Sequence, residues 1–105
     1  MGPIITLPTP ESPAAGVSGF VFPMHARQAP FGLILFGIEP GASIDAHSHA
    51  VHEYWFITAG QGPLRYDGET YTVQQGDLLY FEPHKRHEII NDGDQRLEVV
   101  SVDWA

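Results

Sequence analysis

The chain has 105 residues and 43% of them are apolar, which is enough for one domain with a hydrophobic core. Its formal net charge is −8 with only five lysines and arginines, so we expect neither a nucleic acid nor an anionic membrane as a partner. The absence of cysteine excludes disulfides, thiolate metal ligands and a cysteine nucleophile.

Residues 1–19 are predicted to form an irregular N-terminal arm, because prolines recur through them together with two glycines. Within this arm, residues 4–7 are a candidate edge strand, since edge strands tolerate the flanking prolines. Such an arm would pack along the domain, cross to a second subunit or form a loosely ordered terminus. Residues 20–22 form the next predicted strand, which ends at Pro23.

From residue 31 onward, short apolar segments alternate with turn signals. Predicted strands cover residues 31–39, 43–49, 53–59, 64–66, 69–73, 78–81, 87–90 and 97–103. The dipeptide Asp67-Gly68 is a strong hairpin signal, and the turn at 91–94 is expected to pair the last two strands with each other. About nine short strands and no convincing helix predict an all-β, antiparallel sandwich or barrel.

One segment carries residues typical of a metal site. His47 and His49 are two residues apart in a predicted strand, so their side chains are expected on the same face. A short turn would bring Glu53 beside them at the start of the next strand, and His87 opens a later strand as a candidate third imidazole. Imidazoles and a carboxylate that meet at one point form a metal site with open coordination positions.

This segment resembles the first motif of the cupin superfamily. That motif is a glycine, five residues, His-x-His, three residues, a glutamate, six residues and a glycine, and residues 41–60 match every fixed position. Residues 76–91 resemble the second motif, with Gly76, His87 and Asn91 at the expected offsets. The resemblance implies that residues 1–105 form a single cupin domain, a small double-stranded β-barrel or jelly roll.

The second motif departs from the cupin pattern at two positions. Pro83 falls one place late, and His84 stands where the motif has an inner glycine. Both changes affect the turn before His87 and leave that histidine itself in place.

The resemblance implies that His47, His49, Glu53 and His87 hold one divalent transition metal, which would be Fe, Mn, Ni, Cu or Zn. The alternative is that the four are hydrogen-bonded polar residues in a barrel that binds no metal. All four ligand types are present, whereas degenerate cupin sites usually lack one or more of them. The metal-binding interpretation is therefore the favoured one.

Two residues are candidate catalytic groups. His84 would reach the mouth of the barrel as a general acid or base, with a solvent-exposed loop histidine as the alternative. Tyr66, like Tyr80 and Arg65, is a polar residue that a strand would carry into the cavity, although alternation alone does not fix its face.

The remaining histidines and the apolar residues near Glu53 are given structural roles or none. His52 is expected to make a turn or a surface hydrogen bond rather than act as a fifth ligand, and His25 receives no role. Trp55 and Ile57 share a face with Glu53 by alternation and are expected to line the barrel interior. The motif asparagine at position 91 is expected to support the backbone at a strand end.

The resemblance implies a metal-dependent enzyme acting on a small organic molecule, with a dioxygenase-type oxygenase favoured over a lyase or isomerase. A non-catalytic ligand-binding module is a further alternative. The intact ligand set counts against a vestigial structural cupin, and the lack of an attached DNA-binding domain counts against a self-contained regulator. A homodimer is the family expectation, with residues 31–36 and the N-terminal arm as contact surfaces. No signal peptide or span of transmembrane length is apparent, so we expect a cytoplasmic protein.

Overall fold

A computed structural model describes residues 2–24, 26 and 28–105, and within these ranges the chain forms ten β-strands and no α-helix. The strands are β1 (Glu11–Ala14), β2 (Val17–Phe22), β3 (Gly32–Ile38), β4 (Ser43–His47), β5 (His52–Ala59), β6 (Gln61–Tyr66), β7 (Glu69–Gln74), β8 (Leu78–Phe81), β9 (His87–Ile90) and β10 (Leu97–Trp104). No segment of the described ranges is a helix long and apolar enough to span a membrane.

The strands form two antiparallel sheets that pack face to face. One has six strands in the order β1-β2-β3-β10-β5-β8, and the other has four in the order β4-β9-β6-β7. The buried core lies between them and consists of Val17, Ile38, Trp55, Ile57, Leu64, Val73, Phe81, Ile89, Leu97 and Val99. The predicted double-stranded β-barrel, or jelly roll, is therefore confirmed.

Strand β5 shows how the sequence positions the core. Glu53, Trp55 and Ile57 are buried, while Tyr54 and Phe56 between them are exposed. This alternation places the candidate carboxylate ligand on the same inner face as the core side chains, as predicted. The Asp67-Gly68 hairpin is also confirmed, because both residues have positive φ (49° and 85°) and join β6 to β7 in a two-residue turn.

The N-terminal prediction was wrong in two respects. Residues 4–7 form no strand, and the first strand is β1, which pairs with β2 across a turn at Gly16. The hydroxyl of Ser12 donates to the carbonyls of Ala14 and Val17 and closes this turn. The polar, proline-containing sequence of β1 concealed it, because such a sequence is tolerated only at a sheet edge.

The predicted pairing of the last two strands was also wrong. Strand β9 pairs with β4 and β6 in the four-stranded sheet, while β10 pairs with β3 and β5 in the other sheet. The side-chain amide of Asn91 donates to the carbonyls of Ile38 and Gln95, and its oxygen accepts from Gly93 N–H. The connection after β9 is therefore a crossover between sheets rather than a hairpin turn, and the expected backbone-support role of Asn91 is confirmed.

Candidate metal centre

Three histidines converge at one end of the interface between the sheets. His47 ends β4 and lies opposite His87, which begins β9. His49 follows two residues after His47, and each of the three offers one ligand atom within 4.8 Å of the other two. The predicted convergence of these histidines is therefore confirmed.

The route by which His49 reaches the cluster differs from the prediction. Strand β4 ends at His47, after a register irregularity between Ile44 and His47, and His49 lies in the loop that follows. The carbonyl of His49 accepts a hydrogen bond from the backbone N–H of His84 at 2.6 Å. Strand alternation therefore does not aim the two imidazoles at the same point; a contact between two loops supports the second one.

Backbone carbonyls fix the orientation of two of the rings. Nδ1 of His47 lies 2.8 Å from the carbonyl oxygen of Asp45, and Nδ1 of His87 lies 3.2 Å from that of Lys85. Because a carbonyl only accepts hydrogen bonds, Nδ1 is the protonated nitrogen in both rings. Each Nε2 then carries a free lone pair, which is the arrangement typical of metal-binding histidines.

Glu53, on the opposite sheet, lies against His87 and is not one of the three residues whose ligand atoms converge within 4.8 Å. Its Oε2 accepts a hydrogen bond from the hydroxyl of Ser101 at 2.8 Å, and its Oε1 lies 3.5 Å from Nε2 of His87. Ser101 is 1% exposed and was not foreseen, because its inward position depends on the register of β10 against β5.

The burial of His87 lowers its pKa to about 4, and the neighbouring His47 and His49 contribute in the same direction. The ring is therefore neutral at pH 7, and its contact with Glu53 is not an ion pair. A neutral imidazole does not have to lose a proton before it binds a cation.

The residues present fit a transition metal. Among the described residues, Oε1 of Glu53 and Nε2 of His87 are buried without a hydrogen-bond partner, and such atoms are costly unless something satisfies them. Their separation is compatible with two ligands that each lie ~2.1 Å from one ion. The third buried atom without a partner in the described residues is the indole nitrogen of Trp55. Two of these three atoms therefore belong to inward-facing residues of β5, and the third belongs to His87, which contacts them.

The two candidate catalytic residues are associated with the loop between β8 and β9. His84 lies in this loop, and Tyr66 contacts it from β6. His84 is exposed and has a φ of 67°, so it adopts the left-handed conformation that the motif's glycine would take. The hydroxyl of Tyr66 accepts a hydrogen bond from Glu82 N–H at 3.0 Å and so anchors the same loop. A catalytic role for either side chain stays a prediction.

The other polar candidates lie on outer surfaces. Arg65 is exposed on β6, between the inward-facing Leu64 and Tyr66, and Tyr80 is 43% exposed on β8. Alternation alone left the faces of these two residues open, and the register turns both of them outward. His52 does make the expected surface hydrogen bond, with Nδ1 2.6 Å from the hydroxyl of Tyr80, whereas His25 lies outside the described residues.

An apolar cavity of about 460 Å³ lies between the sheets and is lined on both sides by strand residues. Ile34 and Phe36 of β3 and Ile44 of β4 contribute to its wall. The ring of Phe36 packs against Trp55, whose ring in turn packs against His87. Phe36 in the cavity wall and Trp55 behind it therefore connect the cavity to the histidine cluster.

Comparison with known proteins identifies the family. The family described as "Cupin domain" matches residues 34–103. An oxalate-binding protein of Thermotoga maritima is 29% identical over 66 residues, which are 62% of this chain and 54% of that protein. The chain thus spans about half the length of the curated relatives it matches.

Solved structures share the fold at low sequence identity. The plu4264 protein of Photorhabdus luminescens has a TM-score of 0.85 at 21% identity, with 100% of this chain and 89% of that chain covered. A sugar phosphate isomerase of the cupin superfamily from Silicibacter pomeroyi has a TM-score of 0.74 at 22% identity, with 87% and 60% covered. These similarities bear on the fold alone.

Proposed function

The chain belongs to the cupin family, and we propose that it is a metal-dependent enzyme acting on a small organic molecule bound inside the barrel. The observation that carries this proposal is the pair of unpaired buried atoms, Glu53 Oε1 and His87 Nε2, beside the ring nitrogens of His47 and His49. Four such groups leave coordination positions of a six-coordinate ion open to a substrate.

The residues of the chain would hold and orient the site. His47, His49, His87 and Glu53 would bind the metal, which would polarise substrate oxygens as a Lewis acid. The carbonyls of Asp45 and Lys85 keep two of the rings in the metal-binding tautomer, and Ser101 holds the carboxylate of Glu53. The buried rings of Trp55 and Phe81 exclude water from one side of the cluster.

An oxygenase of the dioxygenase type is the first candidate, because three imidazoles and one carboxylate suit Fe, Mn, Ni or Cu with substrate and dioxygen bound together. A lyase or isomerase is the alternative, and a protein described as a sugar phosphate isomerase has the same fold. The relative described as an oxalate-binding protein supports a third candidate, a module that binds a small ligand without turnover.

The test is to load metal-free protein separately with Fe(II), Mn(II) and Ni(II) and to offer diketones, hydroxyketones and sugar phosphates. Oxygen uptake that depends on a substrate would identify an oxygenase, and conversion without oxygen uptake would identify a lyase or isomerase. Either activity should disappear in Glu53→Ala. Ligand binding without turnover for every metal would contradict an enzymatic role and favour the binding module.

We also propose that the protein forms a homodimer through the outer face of the six-stranded sheet. Its outward positions are mostly apolar, although an antiparallel sheet with one solvated face usually alternates apolar and polar residues. The apolar outward residues are Phe20, Phe22, Leu33, Leu35, Tyr54, Phe56, Leu78, Tyr80, Val100, Val102 and Trp104.

A second copy of the chain is the occupant that fits this face. The carboxylate of Glu98 on it pairs with Arg96, so two copies related by a twofold axis would bring few like charges together. The exposed arm residue Leu7 borders the same face beside Phe20 and Leu35. The arm would thus extend the contact surface that the face provides.

A further inference from the structure

We propose that Asp103 makes the metal centre selective for neutral, hydroxyl-bearing substrates over dianionic ones. This inference rests on the proposed function, because it concerns the molecule bound at the same site. It assigns Asp103 a role as a substrate-binding residue.

The register places Asp103 beside the candidate ligands. On β10 it pairs with Glu53 of β5 on one side and with Gly32 of β3 on the other. Ser101, two residues earlier, points inward to Glu53, and Trp104, one residue later, stacks on the outer residue His52. Alternation along β10 therefore directs the carboxylate of Asp103 to the inner face.

A glycine makes room for this carboxylate. A Cβ atom added at Gly32 would lie 2.5 Å from Oδ2 and 2.8 Å from Oδ1 of Asp103. Both distances are shorter than the contacts that Cβ atoms make in real proteins. The carboxylate therefore occupies the space above the β3 backbone that any larger residue at position 32 would fill. The absence of a side chain at Gly32 lets Asp103 lie across the inner surface of the sheet.

None of the residues that the structure describes holds the carboxylate of Asp103 by a hydrogen bond or an ion pair, and the residue is partly exposed. Its oxygens are not among the buried atoms of the described residues that lack a partner. A substrate hydroxyl would add a charge-assisted hydrogen bond to this carboxylate.

The strand order directs Asp103 toward the strands that carry the histidines. Strand β4 lies opposite β3, since Ile44 and Phe36 line one cavity, and β9 lies opposite β5, since His87 contacts Trp55. Strand β10 runs between β3 and β5, so Asp103 faces the region between the strands that carry His47 and His87. Directly opposed inner positions such as 103 and 53 have Cβ atoms about 5 Å apart, which is within reach of one small bound molecule.

Charge then determines which molecules bind well. Asp103 places a second carboxylate beside Glu53, in a chain whose net charge is −8. A dicarboxylate bound at the metal would meet electrostatic repulsion from Asp103, whereas a hydroxyl group would donate a hydrogen bond to it. We therefore expect this chain to discriminate against oxalate, the ligand in the name of its Thermotoga relative.

The experiment compares wild type with Asp103→Asn, both loaded with Co(II), by visible absorbance titration with dihydroxyacetone and with oxalate. Asparagine keeps the shape and removes the charge. We expect Asp103→Asn to bind dihydroxyacetone about tenfold more weakly, as expected for a lost charge-assisted hydrogen bond, and to bind oxalate more tightly. Asp94→Asn, in the exposed turn before β10, is the control and should change neither affinity.

Opposite changes in the two affinities would support the inference, because structural damage would weaken both ligands. Changes in the same direction, no change, or a wild-type protein that does not bind dihydroxyacetone would overturn it. Cobalt content is measured first and gives a separate result: wild-type protein that retains no metal would contradict the proposed function itself.

Discussion

At the scale of single residues, the site depends on backbone groups as much as on side chains. Carbonyls of Asp45 and Lys85 set the tautomers of His47 and His87, and a backbone N–H of His84 holds the loop of His49. The spacing of the motif identified the candidate ligands, because that spacing reflects which side chains lie close together in the fold. These backbone contacts could not be read from the sequence, because they depend on where β4 ends.

The first prediction concerns His87 in the metal-free protein. Its pKa is about 4 in the folded state and ~6.5 in the unfolded state, so only the unfolded chain binds a proton between these values. The contribution of His87 to the free energy of unfolding should therefore be constant above about pH 6.5. Below that pH it should fall by up to ~1.4 kcal/mol per pH unit. Urea unfolding of wild type and His87→Gln between about pH 7 and about pH 5 measures this. Equal pH dependence in both proteins would contradict the assignment.

The second prediction concerns His84, whose positive φ is unfavourable for a residue with a side chain. His84→Gly should raise the free energy of unfolding by ~1 kcal/mol and leave metal affinity unchanged. Valine disfavours this backbone conformation more strongly than histidine does. His84→Val should therefore lower both the free energy of unfolding and the metal affinity, because it displaces the N–H that holds the His49 carbonyl. Thermal unfolding and competition with a metal chelator give the two readouts. Weaker metal binding in His84→Gly would indicate a role for the imidazole itself.

At the scale of elements, strand positions were predictable where apolar segments lie between clear turn signals. Strands β8 and β9 were predicted with the bounds that the structure has, and the Asp67-Gly68 turn fixed the β6–β7 hairpin. The partners of β9 were not predictable. The crossover after this strand depends on a hydrogen bond from Asn91 to Ile38, which is distant in the sequence, as well as on one to the nearby Gln95. The register of β10 was equally hidden, and with it the inward positions of Ser101 and Asp103.

The third prediction tests that crossover. Asn91 is fully buried, and Asn91→Ala would leave the carbonyls of Ile38 and Gln95 without their donor. We expect a loss of about 3 kcal/mol in the free energy of unfolding. The exposed neighbour Asp92→Ala should change it by less than ~0.5 kcal/mol, and urea denaturation compares the two. Similar losses in both variants would contradict the assigned role of Asn91.

At the scale of the whole molecule, the two sheets differ in their outer faces. The four-stranded sheet presents polar residues such as Arg65, Thr70, Thr72 and Glu88, whereas the six-stranded sheet presents mostly apolar ones. Composition alone did not show this difference, because a 43% apolar content does not say which residues lie outside. The asymmetry supports self-association through one face only.

The fourth prediction follows from this asymmetry. A charge placed on the apolar face, as in Tyr54→Glu, should convert a dimer into a monomer, because two copies would bury the new carboxylates without partners. Thr72→Glu, on the polar face, is the matched control and should remain dimeric. Sedimentation velocity distinguishes the two species. Wild-type protein that is monomeric at all concentrations would contradict the dimer.

The central claim is that the histidine cluster binds a metal, and elemental analysis of untagged protein tests it most directly. Wild type and the outer-face variant His52→Ala should each contain about one transition metal per chain, and His47→Ala should contain none. Metal retained in His47→Ala would contradict the assigned ligands. No metal in wild type, even after anaerobic reconstitution with Fe, Mn, Ni, Cu and Zn in turn, would contradict the claim as a whole.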